Sequence, residues 1–198
     1  KRQMLVISPI AQSKLLPKPA TNASQLAANR YDSSNDIFHP VYGKNGMVAS
    51  EQGLATQVGL DILKQGGNAI DAAVAVGFAL AVVLPNAGNI GGGGFMVLHD
   101  DKTGKDVAID FREIAPAKAS RDMYLDNQGN VIDGKSLFTH DASGVPGTVA
   151  GMEYALKKWG TMPLSKVLEP AIKLADKGFI VSDVLAQTLK EEKSTLGK

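Results

Sequence analysis

A long apolar segment, residues 69–84, constrains the fold more than any other part of the sequence. Asp71 is its only charged residue, Asn68 stands just before it, and Pro85 follows it. A helix that is apolar on every side is stable only when other elements enclose it, and this one is too short and too rich in Ala and Gly to span a membrane. The sequence therefore predicts a buried helix that Asn68 caps, with Asp71 near the positive end of the helix dipole.

Helices and strands on both sides of this segment can be predicted from the spacing of apolar residues and from the glycines and prolines that end helices. A short strand over Met47–Ser50 ends at Ser50, which we predict to be the N-cap of a helix that continues to Leu63 before the glycine pair at 66–67. After the buried helix, two apolar runs separated by a turn predict a β-hairpin. Its strands are Phe95–Leu98 and Val107–Phe111.

The C-terminal part of the sequence predicts a long connection followed by helices. Residues 113–145 form the connection, with a turn at residues 126–129. Three helices are then predicted, at residues 146–158, at residues 163–178 with a kink at Pro170, and from a cap at Ser182 to Lys193. Together with the hairpin, these helices indicate an α/β (α+β) fold class. Residues 1–45 show no periodicity and are predicted to be an extended or disordered leader, so that residues 46–198 form the folded part.

Composition excludes several classes of function. The net charge is +1 without a basic stripe, which excludes nucleic acid as a partner. There is no cysteine, so disulfides and thiolate catalysis are excluded. The histidines His39, His99 and His140 lack the spacing of metal ligands, and we predict no metal site. The basic and short apolar start of the chain allows two interpretations, the remnant of a signal peptide or an ordinary flexible leader.

The candidate functional residue is Arg112, which stands at the end of the second hairpin strand with Glu113 after it. A planar guanidinium suits bidentate binding of a small carboxylate, although a single arginine of this kind is more often a surface residue. The glycine run at residues 91–94 precedes a strand, and no Gly-Lys-Ser/Thr follows it, so phosphate binding is disfavoured. Two interpretations of the run stay open: close backbone packing, or an adaptable loop beside a substrate.

Four motifs in order resemble the γ-glutamyltranspeptidase family, in its bacterial branch. They are Gly66-Gly-Asn-Ala-Ile-Asp-Ala-Ala-Val-Ala75, Ala87-Gly-Asn-Ile-Gly-Gly-Gly-Gly-Phe95, Asp110-Phe-Arg-Glu113 and Gly144-Val-Pro-Gly-Thr-Val-Ala-Gly151. The resemblance extends from about Gly46 to about Thr188. It implies an N-terminal-nucleophile hydrolase with an αββα four-layer sandwich, of which this chain is the N-terminal part of the large subunit.

The resemblance also implies a mechanism. Such a precursor cleaves itself, and the new N-terminal threonine of the small subunit attacks a γ-glutamyl amide such as glutathione. The glutamyl group then passes from the acyl-enzyme to an amino acid, a peptide or water, without a metal or organic cofactor. By the same resemblance, Arg112 binds the α-carboxylate of the donor and Glu113 supports it. The small catalytic subunit is the implied heterodimer partner, and the implied location is periplasmic or secreted.

The chain differs from the family pattern in one respect, and two alternative functions stay open. The chain ends before the expected cleavage site, so we expect the nucleophile downstream and no activity from this chain alone. One alternative is a cephalosporin (glutaryl) acylase of the same family. The other is a non-catalytic truncated remnant that holds a small carboxylate through Arg112.

Overall fold

The computed structural model describes residues 6–8 and 42–197. Most of the predicted leader lies outside these residues. Near the start of the leader, strand β1 (Val6–Ser8) pairs antiparallel with β2 (Met47–Ala49). The helices and strands that follow are α1 (Gly53–Lys64), α2 (Ala69–Val83), β3 (Phe95–Asp100), β4 (Lys105–Asp110), α3 (Lys135–Phe138), α4 (Thr148–Trp159), α5 (Leu164–Lys177), α6 (Asp183–Glu191) and α7 (Lys193–Leu196).

Helix α2 is the centre of the hydrophobic core, as its uniformly apolar sequence predicts. Ten of its residues are buried, and α1, α4 and α5 pack around it. Its neighbours contribute side chains such as Ile62, Met152 and Val167 to the same cluster. Asn68 caps the helix with Asp71 as the reciprocal partner of a capping box, and the helix ends before Pro85. The predicted buried helix and its cap are therefore confirmed.

The predicted N-cap of the first helix is wrong. The side chain of Gln52, and not of Ser50, accepts the hydrogen bond from the backbone N–H of Leu54 and caps α1. The Ser50 hydroxyl instead donates to the carbonyl of Gln52 and shares a hydrogen bond with Thr56. A serine and a nearby glutamine both have an acceptor oxygen, and only the path of the backbone decides which one reaches the free N–H groups.

The predicted hairpin is confirmed and is longer than the sequence suggests. Strands β3 and β4 pair in register from Phe95 opposite Asp110 to Asp100 opposite Lys105. One face packs inward and buries Leu98, whereas the other leaves Phe95 and Val97 largely exposed. The hairpin therefore has an inner face in the fold and an outer face that the described residues leave uncovered.

The connection after the hairpin is mostly irregular, as predicted. It contains the expected turn at residues 126–129, the short helix α3 and one 3₁₀ turn over His140–Ala142. Helix α4 begins at Thr148, two residues later than predicted, and α5 continues across Pro170. Ser182 caps α6 as expected. Among the described residues, no helix is long and apolar enough to cross a membrane.

Candidate functional site

The candidate site is the chain segment that leaves β4, residues 111–114, held between two other stretches of backbone. On one side, the backbone groups of Phe111 and Gly94 exchange hydrogen bonds of 3.0 and 3.3 Å. On the other side, Ile114 and Val145 exchange hydrogen bonds of 3.2 and 2.8 Å. The two flanking stretches also meet, because the carbonyl of Gly92 accepts from the N–H of Gly147. The ends of this segment are thus fixed by backbone pairing on both sides.

Glycines make this close approach possible. A Cβ added at Gly93 would lie 2.6 Å from the carbonyl oxygen of Phe111, and one at Gly94 would lie 2.9 Å from the Phe111 ring. At Gly147 and Gly151 an added Cβ would overlap atoms of Phe111 itself. The close-packing interpretation of the glycine run therefore holds for Gly93 and Gly94. Sequence reasoning missed the packing of Gly147 and Gly151 on Phe111, because these residues are far apart in the chain.

Asn89 and Thr148 are a second pair that sequence reasoning missed. The Thr148 hydroxyl is buried and donates to Oδ1 of Asn89, which also accepts the N–H of Gly92. This contact ties the start of α4 to the start of the glycine run. The only signal in the sequence was an asparagine ahead of several glycines, a pattern typical of a turn stabilised by the side chain.

The Arg112 side chain is exposed and one edge of its guanidinium is paired. Its Nε and Nη2 donate to the two carboxylate oxygens of Glu113 at 3.3 and 3.1 Å. Its Cζ lies 5.8 Å from the centre of the Phe95 ring, which is within the range of a cation–π contact. The described part of the chain places no acceptor on Nη1. The edge formed by Nη1 and Nη2 can therefore take a second carboxylate bidentately.

Hydrogen bonds favour the ionised form of Glu113. Its pKa is held below the ordinary value, because its own backbone N–H and then the Arg112 guanidinium donate hydrogen bonds to the carboxylate. The pair of Arg112 and Glu113 has no net charge, so an incoming anion would meet a local dipole and not an isolated positive charge. The predicted site residues Arg112 and Glu113 thus lie together, and their role in binding stays a prediction.

An open groove of about 380 Å³ is lined in part by Glu113. Its walls come from the irregular connection, including Pro116, Met123, Tyr124 and Ser143. The Tyr124 hydroxyl donates to the carbonyl of Asp141 and joins the two walls. The groove extends the site away from the hairpin along a mainly apolar surface.

The remaining polar candidates of the sequence do not converge on a site. The described residues contain no group of three or more side chains arranged to hold a metal ion. His99 pairs with Asp106 at 2.8 Å across the hairpin, His140 lies in the 3₁₀ turn, and His39 lies outside the described residues. Asp110 accepts the backbone N–H of Arg112.

Comparisons with known proteins agree on one family. Residues 55–198 match the sequence pattern of the family described as Gamma-glutamyltranspeptidase. The chain is 65% identical over 160 residues to the "Glutathione hydrolase proenzyme" of Escherichia coli (strain K12). That match covers 81% of this chain and 27% of the relative, so the chain spans about a quarter of the length of this relative.

Solved structures support the same assignment. The Helicobacter pylori gamma-glutamyltranspeptidase aligns with a TM-score of 0.76 and 55% identity, over 78% of this chain and 44% of that one. A cephalosporin acylase from Bacillus halodurans aligns with a TM-score of 0.69 and 32% identity, over 84% of this chain and 31% of that one. Both the sequence and the arrangement of helices and strands are shared with these proteins.

Proposed function

Because this chain belongs to the γ-glutamyltranspeptidase family, we propose that it is the donor-binding portion of an enzyme that cleaves γ-glutamyl amides. Its helices and hairpin are part of the fold of an N-terminal-nucleophile hydrolase, the αββα sandwich. Relatives named glutathione hydrolase proenzyme support glutathione as the donor. The chain spans a fraction of those relatives, and the complete reaction is therefore a proposal for the whole protein.

One observation carries the proposal: Arg112 has one edge held by Glu113 and the other edge open. A γ-glutamyl donor has an α-carboxylate, whose two oxygens match the Nη1 and Nη2 edge. The contact with Phe95 and the pair with Glu113 orient the guanidinium before a ligand arrives. Less side-chain entropy is then lost on binding, which favours affinity.

The chemistry that follows needs a nucleophile from outside these 198 residues. In the proposed reaction, the hydroxyl oxygen of an N-terminal threonine in the small subunit bonds to the γ-carbonyl carbon. The C–N bond of the amide breaks, and the proton taken from the hydroxyl by the α-amine leaves with the amine product. An amino acid, a peptide or water then bonds to the carbonyl carbon of the ester, the ester C–O bond breaks, and the proton lost by this acceptor restores the threonine hydroxyl. Arg112 contributes by holding the carboxylate end while the carbonyl reacts.

The proposed partners and location follow from the same family membership. The name proenzyme supports a precursor that cleaves into two subunits, and we propose that this chain pairs with the small subunit of its own precursor as a heterodimer. We propose a periplasmic or secreted location. We also propose that the chain is inactive without the subunit that carries the threonine.

Replacing Arg112 in the complete enzyme tests the proposal. Arg112→Ala should raise the KM for γ-glutamyl-p-nitroanilide by about 100-fold or more with a smaller change in kcat, because a charge-assisted bidentate contact is lost. Arg112→Lys should recover only part of the loss, since an ammonium cannot bind in the same bidentate way. Steady-state release of p-nitroaniline measures both parameters.

Arg121→Ala is the matched control. Arg121 forms a similar exposed pair with the next residue, Asp122, at 2.8 and 2.9 Å. Its replacement should leave the donor KM unchanged. An Arg112→Ala enzyme with the donor KM of the wild type would show that the carboxylate is bound elsewhere.

The structural similarity to a cephalosporin acylase supports a second candidate, hydrolysis of a glutaryl amide. A glutaryl group keeps a carboxylate that Arg112 can bind but lacks the α-amine. The kcat/KM of the complete enzyme for γ-glutamyl-p-nitroanilide and for glutaryl-p-nitroanilide decides between them. The higher identity to glutathione hydrolases favours the γ-glutamyl donor. A non-catalytic remnant would turn over neither compound.

A further inference from the structure

Two glycines, Gly93 and Gly144, pack against Glu113. A Cβ added at Gly93 would lie 2.5 Å from Oε2 of Glu113, and it would also overlap the Glu113 backbone nitrogen. A Cβ at Gly144 would lie 3.3 Å from both Cβ and Cγ of Glu113. The Glu113 side chain is therefore contacted at both ends, although 38% of it is exposed.

The glycine at position 93 is required by space and not by backbone conformation. Its φ is outside the left-handed region that favours glycine, so this angle does not exclude alanine. The obstacle is contact alone, and the atoms in the way include backbone of Phe111 and Glu113, which cannot rotate aside. Gly91, two residues earlier, has open space around its Cβ position and an equally permissive φ.

We propose that Gly93 is a positioning residue for donor recognition, which fixes Glu113 and through it the guanidinium of Arg112. The chain of contacts is direct: Gly93 packs on the backbone and carboxylate of Glu113, and that carboxylate holds Nε and Nη2 of Arg112. A methyl group at position 93 displaces Glu113 and turns the open edge of the guanidinium away from the donor carboxylate. This inference rests on the proposed role of Arg112.

Two donors separate positioning from general damage. The complete enzyme is assayed with γ-glutamyl-p-nitroanilide and with 4-aminobutanoyl-p-nitroanilide, which lacks the α-carboxylate. The ratio of their kcat/KM values measures carboxylate recognition. Gly93→Ala should lower this ratio by about tenfold, because small misplacements of a binding group have large effects. Gly91→Ala, the matched control, should leave the ratio unchanged.

The double variant of Gly93→Ala and Arg112→Ala tests whether Gly93 acts by positioning the guanidinium. If Gly93 acts through Arg112, Gly93→Ala should not lower the ratio further in an Arg112→Ala enzyme. Gly94→Ala, whose Cβ would press only on the Phe111 ring, should produce a smaller loss in the same direction. It provides the test if the Gly93→Ala protein does not fold.

The outcomes are distinguishable. Equal losses for both donors, or a further loss on the Arg112→Ala background, would overturn the role of Gly93. If Gly93→Ala does not fold, an unchanged ratio in Gly94→Ala would overturn it as well. An Arg112→Ala enzyme that keeps the ratio of the wild type would instead overturn the proposed function itself.

Discussion

Asp71 and Arg112 are both charged residues at the end of a regular element, but they lie in opposite environments. Asp71 is completely buried at the start of α2, where its carboxylate accepts four hydrogen bonds at 2.6 to 3.1 Å. The donors are the N–H of Asn68, the N–H and hydroxyl of Thr161, and the N–H of Met162. Arg112 is more than half exposed just after β4, where its guanidinium pairs with Glu113 and contacts the Phe95 ring.

The difference shows which of the two charged groups is able to bind a ligand. A buried carboxylate whose oxygens already accept four hydrogen bonds has no capacity left, and its contribution is to join α2 to the connection between α4 and α5. The amide of Asn68 adds to this joint by donating to the carbonyl of Trp159 at 2.6 Å. An exposed guanidinium with an open edge contributes little to folding but can bind an anion.

Removing the buried carboxylate should have the largest effect on stability. Asp71→Ala leaves four donors without their acceptor, and we expect the free energy of unfolding to fall by about 4 kcal/mol. Denaturant unfolding of the complete protein measures this. Asp61→Ala, at a half-exposed aspartate of α1, should change it by less than about 0.5 kcal/mol. Similar values for the two variants would contradict the role given to Asp71.

Glu113→Gln should affect donor binding and leave stability unchanged, the reverse of Asp71→Ala. The unfolding midpoint should not change measurably, because the pair is exposed. The donor KM should rise about fivefold, since a neutral amide holds the guanidinium less firmly. A stability loss comparable with that of Asp71→Ala would remove the contrast between the two regions.

The same pair has a defined pH dependence. Because the pKa of Glu113 is lowered in the folded protein, the pair is fully formed above the ordinary glutamate pKa and is lost only as pH falls through the lowered value. The donor KM should therefore show no contribution from Glu113 between neutral pH and about pH 5. A rise in KM that begins near neutral pH and is absent in Glu113→Gln would contradict this.

The smallest effect is expected at the His99 and Asp106 pair on the hairpin. The Asp106 carboxylate accepts a hydrogen bond from the His99 ring, and this raises the pKa of His99 above its ordinary value. Any stabilisation by the charged pair is therefore present below pH 6.5 and is lost as pH rises through the raised pKa. An NMR titration should show a His99 midpoint above 6.5 that falls in Asp106→Asn. An unchanged midpoint in that variant would show that another group causes the shift.

Much of the helical part could be predicted from local sequence. The apolar run of α2, the cap at Asn68 and the breakers at Gly66 and Pro85 act over a few residues, and the structure agrees with them. The cap of α1 could not be predicted reliably, because Ser50 and Gln52 compete at short range and the backbone path selects one. The position of Asp71 in the first turn of α2 was predicted from the sequence. Its hydrogen bonds to residues 161 and 162 were not, because these partners are 90 and 91 residues away.

The sequence by itself determined the family, the buried helix, the hairpin and the prediction that Arg112 and Glu113 serve the donor. Those conclusions depend on short motifs and on periodicity, which are local properties of the chain. Only the tertiary structure showed why glycine is needed at 93 and 147. Glycine has no Cβ, which leaves room at these positions for Phe111 and Glu113. These residues come close to the glycines only after distant parts of the chain have packed together.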